Sequence, residues 1–319
     1  MARFLVTGGA GFMGSHLVDA LLKQGHTVRV LDDLSSGVRK NLPPHVELLE
    51  GDVTNPRAVE QAFDDVDVCF HLAAIASVAR SNHEWLRTHE VNLTGTINVF
   101  DQARRLQPHR EIPVVYASTA AIYGDCAVVP IGEQNPAAPL SAYAADKSGC
   151  ELHARVAGAV HRIPTVGLRF FNLYGPRQDS RSPYSGVITR FADRLGRGEP
   201  VEIFGDGKQV RDFIYIGDAV CALCGAIASA STNAPVFNVC TGTGTTIRAL
   251  AETMADLYQT DLVAYYRPAR CGDVRVSIGD PRRASEQLGF RTKTTLVEGL
   301  ALTFDLPGAA VKRNPLTVT

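Results

Sequence analysis

Six short apolar runs mark the first half of the chain: Arg3 to Thr7, Thr27 to Leu31, Val46 to Leu49, Val66 to His71, Pro113 to Ala117 and Val166 to Asn172. Their near-continuous apolarity, without polar alternation, predicts strands of a parallel sheet buried on both faces. Stretches with helical periodicity separate them. Leu17, Val18, Leu21 and Leu22 share one face of a helix that stops at Gly25, and a long helix is expected over about 84–106. Strands alternating with helices predict an α/β fold with a doubly wound parallel sheet.

The pattern changes after about residue 172. Glycines and scattered basic residues become frequent, and the apolar segments shorten. Pro183 to Ile188 opens a helix, and Val201 to Phe204 is a short strand ended by Gly205-Asp206-Gly207. Gln209 to Ile216 and Phe237 to Val239 follow. We assign residues 1–168, with about 212–235, to a nucleotide-binding domain. Residues 169–211 and 236–305 are assigned to a smaller α/β substrate-binding lobe. Residues 306–319, with Pro307, Gly308 and Pro315, are expected to form a mobile tail.

Hydrophobic residues make up 45% and charged residues 20%, the balance of a soluble globular protein. Lys+Arg (32) and Asp+Glu (33) cancel, so net charge gives no case for nucleic acid or a membrane surface. No apolar run approaches the roughly 20 residues of a membrane span, and Arg3 to Thr7 shows no signal-peptide anatomy. Seven scattered cysteines suit a reducing cytoplasm, the expected location. Cys221 and Cys224 have redox or metal spacing, but no second pair follows. They read as core cysteines of an apolar helix, and no metal site is expected.

The first run ends at Thr7-Gly8-Gly9-Ala10-Gly11-Phe12-Met13-Gly14, with glycines at 8, 11 and 14 before the helix. The second run ends at Asp32. Strand, glycine-rich turn, helix, strand and acid in that order predict a Rossmann-type dinucleotide site. The glycines let backbone approach a pyrophosphate, and the helix N-terminus supplies N–H groups and a positive dipole end. Asp32 can accept from the adenosine ribose hydroxyls and repels a 2′-phosphate, so NAD is favoured over NADP. Asp52, after the third strand, can approach the adenine. Leu72, Ala73 and Ala74, after the fourth, are small enough to lie beside a cofactor.

Ser118-Thr119 closes the fifth run, and Tyr143 and Lys147 stand four residues apart, on one face of a predicted helix. Thr119, Tyr143 and Lys147 make a hydroxyl, phenol and ammonium set. A phenol of ordinary pKa near 10 is a poor base at pH 7. Lys147 and a positive nicotinamide ring are expected to lower it.

These residues together resemble the extended short-chain dehydrogenase/reductase family. The resemblance rests on Thr7-Gly8-x-x-Gly11-x-x-Gly14, Asp32, Gly51-Asp52, His71-Leu72-Ala73-Ala74, Asn92, Thr119 and Tyr143-x-x-x-Lys147, and runs to about residue 305. Within that family the chain is most similar to nucleotide-sugar 4-epimerases. The resemblance implies Tyr143 as base, Thr119 as its hydroxyl partner, and Lys147 as tuner of Tyr143 and ligand of the nicotinamide ribose. It implies tightly held NAD, contacted also by Phe12, Met13, Asp33, Ser36, Gly37, Val53, Asn92, Ser118 and Phe170. Related 4,6-dehydratases carry Asp-Glu after the active-site threonine. Here Ala120 and Ala121 follow, and neither can transfer a proton.

For the substrate, a UDP-sugar, the resemblance implies Asn172, Arg211 and Arg270 at the diphosphate and Asp273 near the ribose. Phe204 would lie on the uracil, with Val187 and Glu202 nearby. Ser277 matches the position that gates the sugar pocket, where a small residue admits an N-acetyl group. A homodimer is implied through the helices near 84–106 and 143–161. Three other readings stay open at this stage. One is a UDP-glucuronate 4-epimerase, with Arg177 or Arg181 meeting the carboxylate. The others are a nucleotide-sugar decarboxylase or dehydratase, and a silent NAD-sensing protein.

Overall fold

The computed structural model describes residues 1–107, 109–179, 186–270 and 272–306. The expected tail from 307 onward lies outside the described residues, as does Arg181. The first half runs β1 (Arg3–Thr7), α1 (Phe12–Lys23), β2 (Thr27–Asp32), β3 (Glu47–Glu50), α2 (Pro56–Ala62), β4 (Val68–His71), α3 (Val78–His83), α4 (Trp85–His89), α5 (Gly95–Leu106), β5 (Val114–Thr119) and α6 (Ala142–His161). Next come β6 (Thr165–Phe170), β7 (Asn172–Tyr174), α7 (Val187–Gly196), β8 (Val201–Phe204), β9 (Val210–Arg211), β10 (Phe213–Tyr215) and α8 (Ile216–Ala226). The chain continues with β11 (Val236–Val239), β12 (Thr245–Thr246), α9 (Ile247–Leu257), β13 (Ala264–Arg267), β14 (Val276–Ser277), α10 (Arg282–Leu288) and α11 (Leu296–Phe304).

Seven strands form one sheet in the order β11-β6-β5-β4-β1-β2-β3. All its pairings are parallel. Both faces are covered, as the apolar runs require. Leu17, Val18 and Leu21 of α1 pack with Ala219, Val220 and Leu223 of α8 on one side. Val59, Val99, Phe100, Cys150 and Ala154, from α2, α5 and α6, cover the other. Each fully buried Leu or Val on these faces contributes about 1.5–3 kcal/mol. This is a Rossmann-type α/β fold. No described helix is long and apolar enough to cross a membrane.

Four sequence expectations change. The helix over 84–106 is not uniform: a π-helical turn, Glu90–Thr94, joins α4 to α5. The wider turn carries Asn92 inward, where its amide accepts from Ile75 N (2.8 Å) and donates to Ile75 O (3.2 Å). The run Val166–Asn172 divides at Phe171, because Asn172 N turns to Asp212 O (2.9 Å) and β7 pairs with β10 instead. Residues 236–239, expected in the smaller lobe, are the edge strand of the main sheet, with Phe237 and Val239 buried in its core. Finally, Cys221 is exposed on α8 rather than in the core, and Cys224 is only half-buried.

Among the described residues, the small sheets β10-β7 and β13-β8 border a second core, and β12-β9-β14 forms a further small sheet. Phe191, Val201, Ile203, Phe213, Leu250 and Met254 fill that core.

Candidate active site

The expected dinucleotide residues collect at the carboxyl ends of adjacent parallel strands, where ligands of such sheets bind. Gly8 has φ +69°, and a Cβ there would stand 2.7 Å from Ala73 N, so the turns after β1 and β4 touch. A Cβ at Gly14 would collide with the Gly8 carbonyl, which seats α1 on its turn. Gly11 caps α1 without any side-chain hydrogen bond. The first-turn N–H groups, at Phe12 and Met13 among others, therefore have no side-chain cap at the carboxyl end of β1.

A buried relay not expected from the sequence holds these turns. The Thr7 hydroxyl accepts from Leu72 N and Ala73 N, both at 3.2 Å, and meets His71 Nδ1 at 2.8 Å. His71 Nε2 meets Thr96 Oγ1 at 2.9 Å. Thr96 donates its own proton to Asn92 O (2.5 Å), so it accepts from Nε2–H. That leaves Nδ1 to accept the Thr7 proton, and Thr7 lone pairs to receive the two amides. Burial pushes the His71 pKa down to about 3, so the ring is neutral, as this pattern needs.

Asp32 is buried at the end of β2. Its Oδ2 accepts from Ala10 N and its Oδ1 from Leu34 N, both at 2.9 Å. Burial raises its pKa, and the two amides oppose that. A Cβ at Gly37 would lie 2.6 Å from Asp32 Oδ1, so the loop can approach the carboxylate only with glycine there. Asp33 is exposed and engaged with Ser35 N (3.0 Å) and Oγ (2.7 Å); Ser36 is also exposed. Burial works to raise Asp52, but the hydrogen bonds from Arg87 (2.5 Å) and Thr54 N (2.8 Å) outweigh it and lower its pKa. Val53 is buried against Gly95.

Ser141 caps α6 by accepting from Ala144 N (3.2 Å), which starts the helix just before Tyr143. Tyr143 is half-buried, and Thr119 is the side chain that acts to lower the pKa of its phenol. Phe170 lies opposite Thr119 in the β5–β6 register. The expected lowering of Tyr143 by Lys147 is not observed. Burial pushes the phenol up to about 12, and the Thr119 contact offsets this only in part. The Lys147 ammonium, itself fully buried, donates to Ala117 O at 2.9 Å. Ser118, expected at the cofactor, turns its hydroxyl inward to Glu151 Oε1 (2.6 Å).

In the smaller lobe, the expected substrate residues contact one another. Arg211 pairs with Asp273 and donates to Val210 O (2.8 Å). Arg270 stacks over Phe204 with its guanidinium carbon 3.9 Å from the ring centroid. Ser277 lies opposite Arg211 in the β14–β9 register. Asn172 is exposed at the start of β7, and Val187 begins α7. Glu202 is held by Arg267 (2.8 Å) and Arg194 (3.4 Å), so its carboxylate is engaged within the protein. Arg177, a possible carboxylate partner, pairs instead with Asp19 (2.7 Å).

The pattern of the NAD dependent epimerase/dehydratase family matches residues 4–240. The chain belongs to that family. The UDP-glucose 4-epimerase of Mycolicibacterium smegmatis is 36% identical over 313 residues, which cover 95% of this chain and 97% of the relative. The structure of UDP-glucose 4-epimerase from Thermotoga maritima with UDP-glucose is similar at TM-score 0.91 and 38% identity, over 95% of this chain and 97% of that one. UDP-N-acetylglucosamine 4-epimerase from Methanobrevibacter ruminantium, in complex with UDP-N-acetylmuramic acid, follows at TM-score 0.90 and 34% identity, with coverage of 95% and 97%.

NAD is the family's cofactor, and the residues of this chain fit it. The α1 N-terminus is free of a side-chain cap. Each Asp32 oxygen accepts one amide, which leaves lone pairs for two ribose hydroxyls. The sequence reading carried His71 only inside a motif, without a role of its own, and missed Glu151, Arg169 and Asp212. Of these only Glu151 carried a signal, since it stands four residues beyond Lys147 on the same helical face.

Proposed function

We propose that the protein interconverts the C4 epimers of a UDP-hexose or UDP-N-acetylhexosamine through a transient 4-keto sugar. The observation that carries this is the Thr119–Tyr143 pair at the end of β5, followed by Ala120 and Ala121, which have no proton to transfer. Bound NAD supplies the hydride acceptor at C4 and a positive ring charge that favours the phenolate. Tyr143 takes the 4-hydroxyl proton and later returns it. Thr119 shares the same sugar oxygen and fixes its direction. Lys147 holds its ammonium in the buried helix–strand joint, one turn from the phenol. Arg211, Arg270 and Asn172 grip the diphosphate, and Phe204 the base. Binding energy is thus concentrated in the nucleotide, which leaves the keto sugar free to turn over.

Ser277 supports admission of an N-acetyl group, because it is small and sits beside Arg211. Incubation with UDP-glucose, UDP-N-acetylglucosamine and UDP-glucuronate separately, with product stereochemistry read by NMR, tests reaction and substrate together. Conversion of the glucuronate alone overturns the Ser277 argument.

A homodimer accompanies this reading. Leu152, Val156 and Val160 recur at i, i+4 and i+8 on α6 and are 61%, 48% and 67% exposed. That apolar stripe suits a second copy packed helix against helix.

A further inference from the structure

We infer that Glu151 and Arg169 form a buried positioning pair for the reaction, holding α6 at the height and rotation where Tyr143 meets Thr119. The inference rests on Tyr143 being the proton-transfer group. Tyr143, Lys147 and Glu151 follow one another at four-residue steps and share one face of α6. Each faces one of the last three residues of β5, and two of the three are hydrogen-bonded to it. Tyr143 has Thr119 as the side chain acting on its phenol. Lys147 donates to Ala117 O (2.9 Å), and Glu151 accepts from Ser118 Oγ (2.6 Å). The Ser118–Glu151 link thus continues the catalytic face by one turn, on the inner side of the joint.

Arg169 fixes the direction of that link. It lies opposite Ser118 in the β5–β6 register. Its Nε meets Glu151 Oε1 at 2.8 Å and its Nη2 meets Oε2 at 2.6 Å, a two-pronged clasp with both side chains under one-tenth exposed. Its Nη1 donates to Tyr123 Oη (2.8 Å) and to Glu133 O (3.1 Å). Tyr123 ends the short helical turn that begins after Thr119, so Arg169 steadies that segment from its far end. A buried ion pair is weak grounds for stability, since apolar residues of similar size often serve as well. Its distinctive property is direction. A fork of two hydrogen bonds admits one placement of helix on strand, whereas apolar contact tolerates sliding, and a shift of about 1 Å costs a reaction on the order of a hundredfold.

The test replaces the pair without leaving a charge unpaired, in Glu151→Leu/Arg169→Met. Ser118→Ala removes only the link to β5, and Ser118→Thr restores a hydroxyl. Four quantities are measured: melting temperature, NAD released by acid, kcat against KM for UDP-glucose, and the rate of NADH absorbance after mixing with UDP-glucose. The expected result is NAD content and KM within about twofold of the parent, with kcat and the NADH rate down about tenfold or more in the double variant. Ser118→Ala is expected to lose about three- to tenfold in the same two rates, with recovery in Ser118→Thr. Unchanged kcat in a folded, NAD-loaded double variant overturns the inference. If that variant does not fold, unchanged kcat in Ser118→Ala overturns it. Tyr143→Phe is run alongside. Full activity there removes the proton-transfer reading itself, and an inactive Tyr143→Phe beside fully active pair variants removes only the positioning role.

Discussion

Arg270 covers the face of Phe204, its guanidinium carbon 3.9 Å from the ring centroid. A planar cation over an aromatic face at this distance is attracted by the ring quadrupole, with about 0.5–1 kcal/mol at an exposed site. The two residues were expected at different parts of the nucleotide, the diphosphate and the base. Their contact makes them one structure. Phe204→Leu is therefore expected to weaken UDP binding about three- to tenfold, by loss of the ring and of the platform for Arg270. Calorimetric titration with UDP checks this, and NAD content should not change.

Tyr143 gives a two-part prediction. Tyr143→Phe should lower kcat by about 10²–10⁴-fold, the usual range for a lost acid–base group, with UDP affinity intact. An active Tyr143→Phe enzyme would falsify the mechanism.

The pH dependence of stability follows from the same residue. Burial raises the folded-state Tyr143 to about 12, above the ordinary value near 10. Between those values the folded protein retains a proton that the unfolded chain has lost. Stability from this group is thus complete below about pH 10 and falls as pH rises toward about 12. In NAD-free protein, Tyr143→Phe should flatten that part of the melting-temperature profile.

Asp212 is fully buried and accepts from Thr241 N (2.9 Å), Thr241 Oγ1 (2.6 Å), Gly242 N (2.9 Å) and Gly279 N (3.3 Å). All four partners are donors, so only a carboxylate suits the position. Asp212→Asn would turn an NH₂ group toward two of them. With about 1.5–3 kcal/mol for a hydrogen bond to a charged group, a loss of roughly 3 kcal/mol is expected in chemical denaturation. Because Arg211 and Ser277 adjoin this joint, KM for the UDP-sugar should rise as well.

Ser277→Tyr should separate two substrates. An added ring beside Arg211 removes the volume that an acetamido group needs while the sugar turns. Turnover of UDP-N-acetylglucosamine is expected to fall about tenfold or more relative to UDP-glucose. Competition between the two substrates, followed by NMR, gives the ratio directly.

Val156 lies mid-stripe on α6 at 48% exposure. Val156→Glu places a charge in the proposed helix-to-helix contact and should convert a dimer to monomers, measured by light scattering. A wild-type monomer at working concentration removes the dimer proposal.

The sequence by itself determined the elements and the local chemistry. Continuous apolar runs marked six of the seven strands of the main sheet, since strands covered on both faces are largely apolar. The glycines at 8 and 14 were legible because only glycine allows those close approaches. Tyr143 and Lys147 were legible because a helix puts residues four apart on one face. Partner choice was decided by tertiary structure. Ser118 faces Glu151 across 33 residues, Arg211 meets Asp273 across 62, and Asn238 N reaches Glu133 across 105. No local pattern encodes such pairs, because they depend on which elements become neighbours. Burial, a property of the whole fold, likewise set the sign of the Tyr143 shift: desolvation of the phenolate outweighs the opposing effect of Thr119, while Lys147 is engaged with Ala117.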